Sequence, residues 1–290
     1  MNCEKVVNEI VSWIKNYWKN NGMENAVIGM SGGKDSTVAA ALLIKALGVD
    51  HVFGLSMPDS DERVLPAASD TMTAVRAVGM YQFEVFPLGG VKTLMRGTFV
   101  DCTLQTPSHQ ADLNIMPRLR MAALYQYSQT IGKSLVACNA NLSEIIAGYG
   151  TLFGDTAGDF ALLANLLVNE VVEIGEYLGI PADIVRRPPA DGLTGRTDEE
   201  VLGFRYDDVA SLYWRIAKEF DCEYPCDVMF TLSVIKSGLP DEEEEKPYVD
   251  FRNSLPENEK KVLAAYARNE FKRNMLFIPG PEFLLADLEG

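Results

Sequence analysis

The sequence is short of several features that would place it in other classes of protein. Over 290 residues there is no apolar run long enough to cross a bilayer and no N-terminal signal pattern, so a cytoplasmic location with no membrane partner is expected. The five cysteines, Cys3, Cys102, Cys138, Cys222 and Cys226, form no Cys-x-x-Cys pair. Cys222 and Cys226 stand four apart, a loose spacing that indicates neither a zinc ribbon nor a redox dithiol. His51 and His109 are isolated, with no carboxylate or second histidine at ligand spacing. Positive charge is scarce: 26 Lys and Arg against 41 Asp and Glu give a net charge of -15, which repels nucleic-acid phosphates and argues against a nucleic-acid partner. No repeat and no Pro/Gly/Ser-rich linker interrupts a chain that is 47% hydrophobic. One main domain over 1–210 is expected, with a C-terminal helical extension and tail over 211–290 packed on it.

What the sequence does contain is concentrated in one octet, Gly29-Met30-Ser31-Gly32-Gly33-Lys34-Asp35-Ser36, between the apolar run Ala26–Ile28 and the helix-like run Val38–Leu47. Adjacent glycines let a backbone approach a ligand closely, and the N–H groups at the start of the following helix point at it, so the turn suits a polyphosphate. Ser31 and Ser36 add hydroxyl donors. Asp35 adds a carboxylate placed to hold magnesium against phosphate oxygens. The octet lacks the glycine spacing and the Gly-Lys-Ser/Thr ending of the common nucleotide-triphosphatase loop. It resembles instead the Ser-Gly-Gly-x-Asp-Ser loop of the ATP pyrophosphatases, which split ATP between its α and β phosphates.

Apolar periodicity organises the rest. Val6, Val7, Ile10, Val11, Ile14, Tyr17 and Trp18 recur at helical spacing, predicting an amphipathic first helix. Strand and helix then alternate: strand Ala26–Met30, helix to Leu47, strand His51–Ser56, helix from about Glu62 to Val78, strand Tyr81–Phe86, helix from about Met116 to Ile131, strand Ser134–Cys138. That alternation predicts an α/β fold with a mostly parallel sheet and helices on both faces. Ligands bind such sheets past the carboxyl ends of the strands, where the strand order switches. After Asn139 come glycine-rich loops and an apolar helix expected from about Phe160 to Leu178. Pro181–Gly195 reads as an excursion, Asp241–Glu245 as a solvated acidic run, and Trp13, Trp18 and Trp214 as core or interface.

Three further segments make the resemblance specific. Asn114-Ile115-Met116-Pro117-Arg118-Leu119-Arg120-Met121 is similar to the Asn-Ile-x-Ala-Arg-x-Arg-Met of NAD synthetases. Asn139-Ala140-Asn141-Leu142-Ser143-Glu144, with Gly148–Asp155 and Asp159, resembles that family's Asn-x-Ser-Glu, Gly-Tyr-x-Thr-Lys-x-Gly-Asp and following aspartate. Arg187-Pro188-Pro189-Ala190-Asp191-Gly192-Leu193, then Thr197-Asp198-Glu199 and Leu202-Gly203, resemble its remaining elements. The resemblance implies a Rossmann-like, adenine nucleotide alpha hydrolase-like sheet. It also implies amidation of deamido-NAD with ATP and ammonia through an adenylated intermediate. By resemblance, Asp35 and Glu144 take Mg2+. Gly29, Ser31, Gly32, Gly33, Lys34, Asp35, Ser36, Asn139 and Arg187 meet ATP, with Asp35, Ser31 and Ser36 at the reacting phosphates. Arg118, Asp159 and Lys272 meet deamido-NAD. A guanidinium fork at Arg118 suits phosphates or a carboxylate, and arginines at i and i+2 do not share one helix face. A glutaminase module would need a substantial further domain, so free ammonia is the expected donor. The ammonia-dependent members are homodimers with the substrate site near the subunit contact, which implies the same here.

The chain also departs from that pattern. Leu152 and Val168 stand where members commonly carry lysines, Ala190 replaces a hydroxyl residue, Asn139 a threonine, and Phe271 the histidine beside Lys272. Asn139 still donates and accepts hydrogen bonds. Loss of the cation at Leu152 would weaken phosphate recognition unless Arg186, Arg187, Arg196, Lys272 or Arg273 compensates. Two other readings therefore stand beside NAD synthesis: an adenylating ligase acting on a different acceptor, and a nucleotide-binding homologue with impaired catalysis.

Overall fold

The computed structural model describes residues 1–66, 68–187, 197–237, 246–274 and 278–288. Pro188–Leu193, Arg196 and Asp241–Glu245 lie outside the described residues.

Five parallel strands form the sheet: β1 Asn25–Gly29, β2 Val52–Ser56, β3 Phe83–Val85, β4 Ser134–Cys138 and β5 Phe160–Ala161, in the order β3-β2-β1-β4-β5. The order reverses between β1 and β4, so the carboxyl ends of those strands flank the switch point. Ala26, Val27 and Ile28 are all fully buried, as a strand covered on both faces requires. On one side α1 (Cys3–Asn21), α2 (Lys34–Leu47) and α7 (Val168–Tyr177) pack together around Val6, Ile10, Leu42, Val171 and Ile174. On the other side α5 (His109–Ile131) crosses β1 and β4, and Met116 and Ala123 join Leu55 and Met57 in a second apolar cluster.

The remaining helices are α3 (Asp70–Ala77), α4 (Gly89–Thr103), α6 (Leu142–Ala147), α8 (Ala182–Val185), α9 (Asp198–Leu202), α10 (Tyr206–Glu219), α11 (Pro225–Ser237), α12 (Lys246–Ser254), α13 (Glu257–Arg268), α14 (Glu270–Asn274) and α15 (Leu285–Leu288). Val209, Leu212, Phe251, Val262, Phe283 and Leu288 belong to the same apolar cluster as Val6 and Leu43. The expected boundary after residue 210 falls inside α10.

Several elements differ from their sequence expectation, each for a local reason. The helix expected from Glu62 begins only at Asp70, where the Ser69 hydroxyl accepts the Met72 N–H at 3.3 Å. Pro66 disfavours helical geometry in the residue before it and lacks a donor of its own. The apolar run after Phe160 is divided: Phe160–Ala161 pairs with β4, and the helix starts at Val168 because the Glu170 carboxylate accepts the Leu167 N–H at 2.6 Å. α5 begins seven residues before its expected start, capped by Ser108 on the Ala111 N–H at 3.2 Å, and carries Pro117 within it. α4 lies over a stretch for which the sequence reading predicts no element.

Candidate active site

The octet leaves β1 and turns into α2 at the switch point. Gly32 has φ +88°, and a Cβ there would lie 2.5 Å from the backbone nitrogen of Thr71, so the turn is sealed against the start of α3 only because this residue has no side chain. The Ser31 hydroxyl accepts the Gly33 N–H at 3.2 Å and lies 3.1 Å from the Ser36 hydroxyl. Thr37 Oγ1 and Ser36 Oγ both donate to the Gly33 carbonyl, at 2.7 and 3.2 Å. Gly33 is the N-cap of α2 and supplies no side-chain cap, so the first turn of a 14-residue helix presents its N–H groups to the cleft. Arg187 closes this side, donating to the Gly32 carbonyl at 3.4 Å and pairing with Asp70 at 2.6 Å.

The other bank is the end of β4. Asn139 donates Nδ2 to the Gly29 carbonyl at 3.0 Å, which fixes its amide orientation and leaves Oδ1 buried with no hydrogen-bond partner in the protein. Asn141 caps α6: its Oδ1 accepts the Glu144 N–H at 3.1 Å and its own N–H donates to Glu144 Oε2 at 3.1 Å. Its Nδ2 donates to Asp35 Oδ1 at 3.0 Å, while Lys34 Nζ sits 3.2 Å from Asp35 Oδ2. Loss of surrounding water raises the Glu144 carboxyl well above its ordinary range, and the nearby Asp35 carboxylate raises it further. Two acidic groups held close against mutual repulsion suit a divalent cation. Among the described residues no cluster of three or more His, Cys, Asp or Glu is disposed to hold a metal. A two-carboxylate site fits Mg2+, which keeps waters and takes phosphate oxygens for its remaining positions.

Between these banks opens a cleft of about 680 Å³ whose far wall comes from α5, the loop after α6, and α14. Arg118 donates Nε to the Leu152 carbonyl at 3.2 Å, and Arg120 donates Nε to the Met57 carbonyl at 3.1 Å. The two arginines use different partners on opposite sides of α5, yet both line the cleft. Lys272 reaches in from α14 and donates to the carbonyls of Gly148 and Gly150, each at 2.8 Å. Burial lowers the Lys272 ammonium, opposed by Asp155. Asp155, raised by burial, accepts the Thr151 N–H at 2.7 Å. Gly154 lets this loop press onto α5, since a Cβ there would lie 2.7 Å from Cβ of Pro117. In a chain of net charge -15, Lys34, Arg118, Arg120, Arg187 and Lys272 line one cavity with the carboxylates Asp35, Glu144, Asp155 and Asp198, so groups for a polyanion and groups for its counter-cation meet there.

Asp159 does not join them. Its Oδ1 accepts the Tyr125 hydroxyl at 3.1 Å, its Oδ2 accepts the Val136 N–H at 2.8 Å, and its carbonyl accepts the Tyr17 hydroxyl at 3.2 Å. It fastens β4 to α1 and α5 and is not among the cleft-lining residues. Val168 packs against the main apolar cluster, its N–H on the Ser143 hydroxyl at 3.1 Å. Of the expected compensators for Leu152, Arg186 pairs with Glu176 at 2.5 Å and Arg273 lies over the Tyr266 ring at 3.5 Å, both away from the cleft. Among the described residues Arg118 bonds the Leu152 carbonyl itself, and Lys272 bonds the Gly148 and Gly150 carbonyls of the same loop. Arg120, Asp155, Asn114 and Asp198 also line the cleft, beyond the site residues that the sequence implies. Each stands inside one of the quoted motifs, so the signal was present.

A parallel sheet with a diglycine turn at its switch point, an acidic pair beside it and cations opposite defines a nucleotide-binding α/β enzyme of the ATP pyrophosphatase type. The chain belongs to the NAD synthase family, whose sequence model matches residues 6–224. It is 36% identical over 217 residues to the NH(3)-dependent NAD(+) synthetase of Pyrococcus furiosus, covering 74% of this chain and 79% of that protein. It is 35% identical over 209 residues to the enzyme of the same name from Methanococcus aeolicus, covering 71% and 80%. Among solved structures it is similar in fold to NMN synthetase from Francisella tularensis, with TM-score 0.69 and 24% identity over 96% of this chain and 99% of that one. It is also similar to the NH3-dependent NAD synthetase from Campylobacter jejuni in complex with nitrate, with TM-score 0.67 and 22% identity over the same shares.

Proposed function

We propose that this protein is an ammonia-dependent NAD synthetase, a carbon-nitrogen ligase that converts deamido-NAD to NAD with cleavage of ATP to AMP and pyrophosphate. The observation that carries this reading is the meeting of the diglycine turn, the Asn139–Glu144 segment and the Arg118–Lys272 wall in one cleft.

A nicotinate carboxylate is a poor electrophile at neutral pH. Its oxygen attacks the α phosphorus of ATP, pyrophosphate departs, and the acyl adenylate carries AMP as a good leaving group. Ammonia then adds to the acyl carbon and AMP leaves, giving the amide. The Ser31 and Ser36 hydroxyls, the Lys34 ammonium and the first N–H groups of α2 receive the departing pyrophosphate as preorganised donors. Asn139 and Arg187 bound the nucleotide on either side of the turn. Arg118 and Lys272 hold the acceptor, anchored to the loop carbonyls that shape that wall. Asp35 and Glu144 would hold Mg2+, which neutralises phosphate charge and acts as a Lewis acid there.

The working unit is a homodimer. α4 has no buried residue, and Val91, Leu94, Met95 and Phe99 form an exposed apolar stripe along it. α4 packs on α5, the helix that carries Asn114 and Arg118 into the cleft, so a second copy seated on the stripe lies close to the acceptor wall.

The test is incubation with ATP, Mg2+, deamido-NAD and ammonium, following NAD and pyrophosphate together. Equal yields of both support the reading. Pyrophosphate released only with another carboxylic acid would assign a different acceptor, and nucleotide binding with neither product would indicate a non-catalytic homologue.

A further inference from the structure

We propose that Asn141 is a positioning residue that sets the geometry of the cation site by holding Asp35 and Glu144 at once. The inference rests on the reading that this acidic pair takes Mg2+.

Capping α6 requires only an acceptor at position 141. Asn, Asp and Ser serve about equally there and Thr somewhat less well, and the capping box is complete with Asn141 Oδ1 on the Glu144 N–H and the Glu144 carboxylate on the Asn141 N–H. The helix has no use for the amide nitrogen. Because Oδ1 must accept from Glu144, Nδ2 is turned the other way, and it meets Asp35 Oδ1 at 3.0 Å across 106 residues of sequence. Asn141 is fully buried, so this geometry is held by packing. One residue therefore fixes both carboxylates by different groups, the backbone N–H for Glu144 and the side-chain amide for Asp35. Aspartate at this position would cap α6 equally but set a third carboxylate against Asp35. Serine or threonine would cap α6 without reaching Asp35, leaving that carboxylate to its ion pair with Lys34.

The separating experiment uses Asn141→Ser and Asn141→Thr, with Asp35→Asn alongside. Mn2+ replaces Mg2+ as the probe, in the presence of a non-hydrolysable ATP analogue. Free Mn2+ is followed by electron paramagnetic resonance, and melting temperature is recorded for each protein. Loss of a hydrogen bond that orients a metal ligand lowers affinity by about 10- to 100-fold, and both capping variants should show a loss of that order while melting near the parent. In turnover the Mg2+ concentration for half-maximal rate should rise with them, and saturating Mg2+ should restore most of kcat. If Asp35→Asn loses Mn2+ but Asn141→Ser and Asn141→Thr bind it like the parent, the cation site stands and the positioning role is wrong. If Asp35→Asn itself binds Mn2+ like the parent, the acidic pair is not the cation site and the proposal falls with it. Losses in the capping variants that only track a lowered melting temperature would also overturn it, since the role would then be confined to capping α6.

Discussion

The Arg118 guanidinium donates Nε to the backbone carbonyl of Leu152 at 3.2 Å. Leu152, an apolar residue of the cleft wall, is therefore faced by a cation from another element. The hydrogen bond uses one N–H of the guanidinium and leaves its terminal nitrogens for an anion. Replacing Arg118 by Ala should lower kcat/KM for deamido-NAD by about 10- to 100-fold, with the KM for ATP changing by less than about threefold. Steady-state kinetics with each substrate varied in turn checks this. Equal losses for both would make Arg118 a structural fastener of the Leu152 loop.

Asp35 stands in the first turn of α2, and its side chain is largely shielded from solvent, held by Asn141 and Lys34. Asp35→Ala should suppress pyrophosphate release by about 100-fold or more, as expected when charge stabilisation is removed from a reacting phosphate, while the fold is kept. Circular dichroism and a pyrophosphate assay on the same preparation check both halves. Undiminished release would remove Asp35 from the reaction.

The α4 stripe gives a prediction about assembly. Leu94 is 72% exposed and Phe99 44% exposed, so the double substitution Leu94→Glu, Phe99→Glu should leave the protomer folded. Sedimentation should show the parent as a dimer and the double variant as a monomer with weakened deamido-NAD use. A parent that sediments as a monomer at micromolar concentration would place the complete acceptor site within one chain.

Glu170 gives a pH dependence. Burial pushes its carboxyl from the ordinary value of 4.5 to about 7, and the Leu167 N–H only partly offsets this. The folded protein therefore binds this proton more tightly than the unfolded chain. The associated stability is complete below about pH 4.5 and is lost as pH rises through about 7. Glu170→Gln keeps an acceptor for the Leu167 N–H and cannot ionise. Between pH 5 and pH 8 the parent should lose stability relative to this variant, by at most about 3 kcal/mol. Urea midpoints at the two pH values measure it, and parallel pH slopes in both proteins would contradict the assignment.

The sheet and the turn were legible because each rests on local chemistry. Ala26–Ile28 is an apolar run followed closely by the adjacent glycines Gly32 and Gly33, and nothing distant is needed to make it a strand entering a phosphate turn. The capping groups Ser69, Ser108 and Glu170 moved helix starts by several residues, since apolar periodicity marks a helix face better than its ends. α4 carries Val91, Leu94, Met95 and Phe99 at helical spacing, but it opens on Gly89 and Gly90 and includes Gly97, which weaken a helical reading of that stretch. In the site, Asp159 shows why a motif position cannot fix a role. Whether a carboxylate faces the ligand or a neighbouring strand depends on where Tyr125 and Val136 come to lie, which is a tertiary fact. Asp155, four residues earlier, does line the cleft.

The most direct measurement follows oxygen. With both carboxylate oxygens of the nicotinate group of deamido-NAD labelled as 18O, single turnover with ATP, Mg2+ and ammonium should yield AMP carrying one 18O, NAD carrying one 18O in its amide, and unlabelled pyrophosphate. AMP free of label, or label in the pyrophosphate, would contradict attack of that carboxylate on the α phosphorus held beside the Ser31–Ser36 turn.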